Sequence, residues 1–273
     1  MTELVTITLE NGIADVRLNR ADKYNALSPE MFAAITEAGE KVATLPGVRV
    51  VVLSGEGRGF CAGLDFSSFK GMGDRERAPG AEATVGAATS AELPENHAQR
   101  PGMVWKRCPV PVICALHGVA FGGGLQVALG ADIRIAAPDA KLSVMEIKWG
   151  LVPDMGGVAL MRELMPLDRA KELTLTGRIL DAETAAAWGL VTEISAEPEH
   201  QAKNLIAEIR SRSPDAVAGG KFLLQKAWRA GDGAALRYER LWQRRIMGKR
   251  NQRIAVKRNQ QQKEIPFYNR RLG

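Results

Sequence analysis

The sequence predicts an α/β fold in which strands alternate with crossover helices and an all-helical segment follows. Three observations carry this reading. Apolar runs rich in β-branched residues at 48–53, 110–116 and 131–136 have the length of buried strands. Stretches with helical apolar spacing separate strand-like runs, so right-handed βα units are expected. From about Pro198 onward the pattern is helical only.

The elements follow in order. Residues 4–9 and 13–18 read as two strands joined by Asn11-Gly12, a strong hairpin turn. Ser28-Pro29-Glu30 opens a helix, with Ser28 as N-cap and Pro29 at the first helical position. Met31, Ile35, Ala38 and Val42 supply its apolar face. Residues 66–100 are small, polar or glycine-rich and read as a long loop, of the kind that covers an active site. Helices are expected at 154–164, 168–175 and 181–188, the last ended by Gly189. Three C-terminal helices carry Leu205, Ile206 and Ile209; Phe222, Leu223 and Trp228; and Leu236, Leu241 and Ile246. The chain divides into a core at 1–197 and a helical module at 198–273 that cannot bury its apolar faces well alone.

At 273 residues, with ordinary apolar and charged fractions, the composition is that of a soluble globular protein. No secretory signal is read at the N-terminus, and the longest apolar stretch is interrupted by His117, Gln126, Asp132 and Arg134, so no membrane span is expected. Cys61, Cys108 and Cys114 have no zinc-like spacing, and their odd number suits a reducing, cytoplasmic compartment. No metal site and no dinucleotide or phosphate-loop fingerprint is read. The net charge of +6 lies mostly late, around Arg244, Arg245, Lys249, Arg250, Arg253, Lys257 and Arg258. A solvated helical face explains it. Contact with the phosphates of a ligand, or with RNA, stays open.

Two glycine-rich turns each follow an apolar run. One is Ser54-Gly55-Glu56-Gly57-Arg58-Gly59-Phe60-Cys61-Ala62-Gly63-Leu64-Asp65, and the other is His117-Gly118-Val119-Ala120-Phe121-Gly122-Gly123-Gly124-Leu125-Gln126. Both offer backbone N–H groups that can hold a carbonyl oxygen as it becomes an oxyanion. Glu146 and Asp154 follow and can supply proton chemistry. Asp154, after Pro153, also reads as a helix N-cap. His117 reads as structural, and His97 falls in the expected cover loop.

These turns resemble those of the crotonase (enoyl-CoA hydratase/isomerase) family, together with residues 19–27, 142–157 and 175–191. The resemblance implies a spiral of ββα units with a helical C-terminal oligomerisation module, assembled as a trimer or hexamer. It implies an acyl-CoA thioester as substrate, with coenzyme A as part of that substrate and no separate cofactor. The implied oxyanion donors are the N–H groups of Ala62 and Gly123, and Glu146 matches a catalytic glutamate. Gln126 stands where hydratases carry a second glutamate, and an amide cannot act as a base at neutral pH. Asp154 matches the offset of a catalytic aspartate in dienoyl-CoA isomerases. Ala62, Gly63, Leu64, Asp65, Gly123, Lys23 and Gln126 are the expected substrate-binding residues. Double-bond isomerisation is the expected reaction. Hydration by an altered acid–base pair is the alternative, and a non-catalytic CoA- or RNA-binding protein is the alternative of another class.

Overall fold

In the computed structural model, which describes residues 3–65 and 94–272, the chain opens with the hairpin that Asn11-Gly12 demands. Strands β1 (Val5–Glu10) and β2 (Ile13–Leu18) pair antiparallel, and both turn residues have positive φ, 50° and 79°. Helix α1 (Pro29–Thr44) begins as expected, with Ser28 Oγ accepting the Met31 N–H at 3.3 Å. Its Met31, Ile35 and Val42 are fully buried, each worth about 1.5–3 kcal/mol over exposure. Strand β3 (Val50–Gly55) is buried along its whole length.

Of the expected cover loop, residues 66–93 lie outside those described, and Arg100 already begins a helix, α2 (Arg100–Arg107). Sequence reading missed this helix because it is only eight residues long, too short for a periodic signal. Buried Trp105 anchors it, and an ion pair joins its Arg107 to Glu95.

The next elements set the spiral. Strand β4 (Val112–Leu116) is followed by β5 (Val119–Phe121) and helix α3 (Gly123–Leu129). Strand β6 (Ile133–Ala136) is followed by β7 (Lys141–Ser143) and a 3-10 helix at Glu146–Trp149. Each pair gives its first strand to one sheet and its second to another. After α4 (Gly157–Met161) and α5 (Leu167–Thr176) come β8 (Leu180–Asp181), α6 (Ala182–Ala187) and β9 (Glu193–Ile194). The six-stranded sheet runs β1-β2-β3-β4-β6-β9, parallel from β2 onward, and the three-stranded sheet runs β5-β7-β8. Single bridges, Cys61 to Ala120 and Leu27 to Leu64, carry the second layer back to the first glycine turn.

The C-terminal helices are α7 (Pro198–Arg210), α8 (Pro214–Ala227), α9 (Asp232–Ile246) and α10 (Arg250–Gln261). The boundary expected after residue 197 falls inside the packed core. Ala202 and Ile206 of α7 pack on Val50, Val52, Ile113 and Ile135, so α7 covers the outer face of the large sheet. Helix α8 is stitched to the core by Lys221, whose buried ammonium donates to Asp132 Oδ2 at 2.7 Å and to two backbone carbonyls. Beyond it, α8 and α9 form a hairpin with Phe222 stacked on Trp242.

Candidate active site

The two glycine turns meet through backbone hydrogen bonds, with the N–H groups of Phe60, Cys61 and Phe121 donating to the carbonyls of His117, Val119 and Cys61, and Asn25 clasps the first turn. Asn25 is fully buried with φ +56°. Its Nδ2 lies 3.0 Å from the carbonyl oxygens of Glu56, Gly59 and Phe60, and its Oδ1 accepts the Arg20 N–H at 2.8 Å. Sequence reading did not single out Asn25, since the three carbonyls that it holds lie more than thirty residues away. The turns then pack backbone to backbone. Gly63 has φ +91°, and a Cβ there would stand 2.7 Å from the Phe121 carbonyl oxygen and 3.7 Å from the Gly123 nitrogen.

This close approach opens a cavity of about 540 Å³ lined by Ala62, Gly63, Leu64, Gly123, Glu146 and Asp154 together with Phe32, Phe121, Met145, Trp149, Leu151, Val152 and Met155. The wall is therefore mostly apolar and aromatic, with two carboxylates and two glycine turns as its polar features. The N–H of Ala62 does not face it freely: it donates to the Tyr24 carbonyl at 2.9 Å. This corrects the expectation that Ala62 is an oxyanion donor. Leu27 donates to Gly63 O and accepts from Asp65 N–H, at 2.8 and 3.1 Å. In such a parallel bridge the N–H of the intervening residue points the other way. The N–H groups of Leu64 and Gly123 have no acceptor among the described residues.

Glu146 opens the 3-10 helix and stands against Gly122, whose φ of +52° turns the chain there. Its Oε1 accepts from Gln126 Nε2 at 2.6 Å. Its Oε2 is buried with no hydrogen-bond partner among the described residues. Burial pushes the Glu146 carboxyl above the usual range, and the nearby Asp154 charge adds to this against the opposing hydrogen bond from Gln126. Asp154 also lines the cavity. It is largely exposed, yet the atoms crowded around its carboxyl push it up as well. Asp154 is not a helix N-cap. The expected helix at 154–164 starts only at Gly157, with Gly156 in the capping position. The Met155 and Gly157 N–H groups are taken instead by Gln126 Oε1, each at 2.9 Å.

Three of the expected substrate-binding residues do not line the cavity. Gln126 is fully buried behind Glu146. Asp65 pairs with Arg20 at 2.6 Å. Lys23 is exposed on the 3-10 turn Ala21–Lys23, and the neighbouring Arg58 lies over the Tyr24 ring at 4.7 Å. His117 Nε2 is bonded to the Gly57 carbonyl at 3.0 Å, a structural role as expected. His97 packs on Phe32, a cavity residue. Cys61, Cys108 and Cys114 are buried and unpaired, and burial pushes the Cys61 thiol up to about 12, so it stays protonated. Among the described residues no group of three His, Cys, Asp or Glu side chains can hold a metal, and no helix is long and apolar enough to cross a membrane. The late cations line a separate cleft of about 810 Å³ between α10 and the tail, with Lys249, Arg250, Arg253 and Lys257. Its rings are already covered, Phe267 by Arg258 and Tyr268 by Arg250.

The chain resembles known proteins in sequence and in fold. A family model described as enoyl-CoA hydratase/isomerase matches residues 8–258. The chain is 37% identical over 196 residues to the 1,2-epoxyphenylacetyl-CoA isomerase of Escherichia coli (strain K12), covering 71% of this chain and 70% of the relative. It is 35% identical over 222 residues to the (E)-benzylidenesuccinyl-CoA hydratase of Thauera aromatica, with 80% of each chain covered. The crystal structure of an enoyl-CoA hydratase from Bacillus anthracis superposes with a TM-score of 0.85 at 25% identity, over 97% of this chain and 99% of that one. With a match that runs from β1 into α10 and a fold shared over nearly the whole chain, this protein belongs to the enoyl-CoA hydratase/isomerase family.

Proposed function

We propose that the cavity binds an acyl-CoA thioester and moves a double bond in its acyl chain by proton transfer. The observation that carries this reading is the asymmetry at Glu146: one carboxylate oxygen is held by an amide, and the other is buried with no partner among the described residues. A 3-enoyl thioester loses a proton from carbon 2 to Glu146. The charge moves to the thioester oxygen, where the N–H groups of Leu64 and Gly123 receive it. Each such donor is typically worth about 2.7–4 kcal/mol in the barrier. The dienolate then takes the proton back at carbon 4. With a 3,5-dienoyl chain, Asp154 starts protonated and gives its own proton to carbon 6, while Glu146 keeps the proton taken from carbon 2. Similarity to an isomerase acting on a CoA thioester supports this.

Hydration is the second reading, favoured by similarity to a hydratase and by the presence of two carboxylates in the cavity. A mass-resolved product assay separates them, with a 2-enoyl-CoA, a 3-enoyl-CoA and a 3,5-dienoyl-CoA offered in turn. Isomerisation leaves the mass unchanged and is expected to fall by about 10²–10⁴-fold in Glu146→Gln. A product one water heavier from the 2-enoyl substrate, as the main activity, rejects the isomerase reading.

The same proposal extends to assembly and compartment. The basic cleft beside α10 suits the phosphates of a CoA bound by a neighbouring subunit, in a homotrimer or hexamer built through α8 and α9. The buried, unpaired cysteines suit the cytoplasm.

A further inference from the structure

Gln126 is fully buried and absent from the cavity wall, yet it touches both segments that carry carboxylates. We propose that Gln126 is the positioning residue of this site: it locks Glu146 by Oε1, anchors the turn behind Asp154, and leaves Glu146 Oε2 as the one oxygen that exchanges a proton with substrate. The inference rests on the proton-transfer reading and supplies its geometric cause.

The orientation of the amide follows from its partners. The Met155 and Gly157 N–H groups both point at it from 2.9 Å, and two donors require the carbonyl oxygen between them. The NH2 group is thereby aimed at Glu146, 2.6 Å away. A glutamate at position 126 would accept the same two N–H groups, but its second oxygen would then face Glu146 Oε1 at hydrogen-bond distance. Two carboxylates that close cannot both ionise. The amide removes this conflict and stabilises ionised Glu146, which burial otherwise disfavours. A leucine at 126 would fill the space but strand two backbone donors and Glu146 Oε1 without partners.

The test uses Gln126→Glu and Gln126→Leu in the full chain. Glu146 is titrated by carbon-13 NMR of labelled glutamate carboxyls, its signal assigned by its loss in Glu146→Gln. In parallel, the pH profile of kcat/KM is taken with a 3-enoyl-CoA. Both variants are expected to move the Glu146 titration upward, and Gln126→Glu in two steps because the pair shares a proton. The acid limb of the profile moves with it. In Gln126→Leu, kcat falls about tenfold or more, while KM changes little because residue 126 does not line the cavity. Gln126→Glu keeps both backbone acceptor contacts and carries the test if Gln126→Leu does not fold. An unmoved Glu146 titration in a folded variant means that Gln126 only fills space, and the proposal fails. The NMR titration needs no turnover, so a wild type without isomerase activity would reject the proposed reaction while the clamp is still decided.

Discussion

Glu146 is the proton carrier of the proposed reaction, and its burial has a consequence for stability that needs no substrate. Its carboxyl is pushed up in the folded chain by desolvation. At low pH, folded and unfolded forms both carry the proton and the residue costs nothing. As pH rises past the usual carboxylate range, the unfolded chain ionises first, so the folded form loses stability until its own raised value is passed. Glu146→Gln is always neutral and escapes this loss. Thermal unfolding over a pH series is therefore expected to show the variant gaining on the wild type as pH rises through that window, with a plateau above it. A difference independent of pH contradicts a desolvated Glu146. Asp154→Asn follows in the same direction but less, because Asp154 is more exposed.

The element that matters most is the first glycine turn, held in place by Asn25 from a different segment. Asn25→Ala leaves carbonyl oxygens and the Arg20 N–H without partners inside the protein, at about 1–3 kcal/mol for each group water cannot reach. The melting temperature is expected to drop by several degrees, with faster amide hydrogen exchange over residues 56–65. Asn25→Asp is expected to be worse above the carboxylate range, since a charge then faces the same carbonyls. Unchanged exchange over this turn in both variants removes Asn25 from its clasping role. Because Leu64 sits at the end of this turn, turnover should fall together with stability.

On the scale of the whole molecule, the α8–α9 hairpin leaves large apolar side chains in solvent: Leu224 is 57% exposed, Trp228 71%, Leu236 53% and Met247 60%. Large contiguous apolar surfaces mark contacts between proteins, and the proposed assembly would cover these side chains. Sedimentation is expected to find trimers or hexamers in the wild type and monomers in Trp228→Glu combined with Leu236→Glu. The melting temperature of the wild type, unlike that of the variant, should rise with protein concentration. A wild type that sediments as a monomer at every concentration rejects this assembly. The tail itself is fastened within the chain, since Asp215 accepts from the Arg271 and Leu272 N–H groups and from Asn251 Nδ2.

By itself the sequence determined the alternation of strands and helices, the hairpin at Asn11-Gly12, the capped start of α1, and the pairing of two glycine turns with Glu146. These are local signals: turn chemistry, capping and apolar period act within a few residues. Tertiary structure alone decided which N–H groups are free. Ala62 is engaged because the Tyr24 carbonyl lies beside it, and Leu64 has no acceptor among the described residues because Leu27 bridges its neighbours. It also decided that α7 belongs to the core and that Gln126, three residues into a buried helix, reaches both the 155–157 turn and Glu146. Such facts depend on directions in space between segments distant in the chain, and residue types in order do not carry directions.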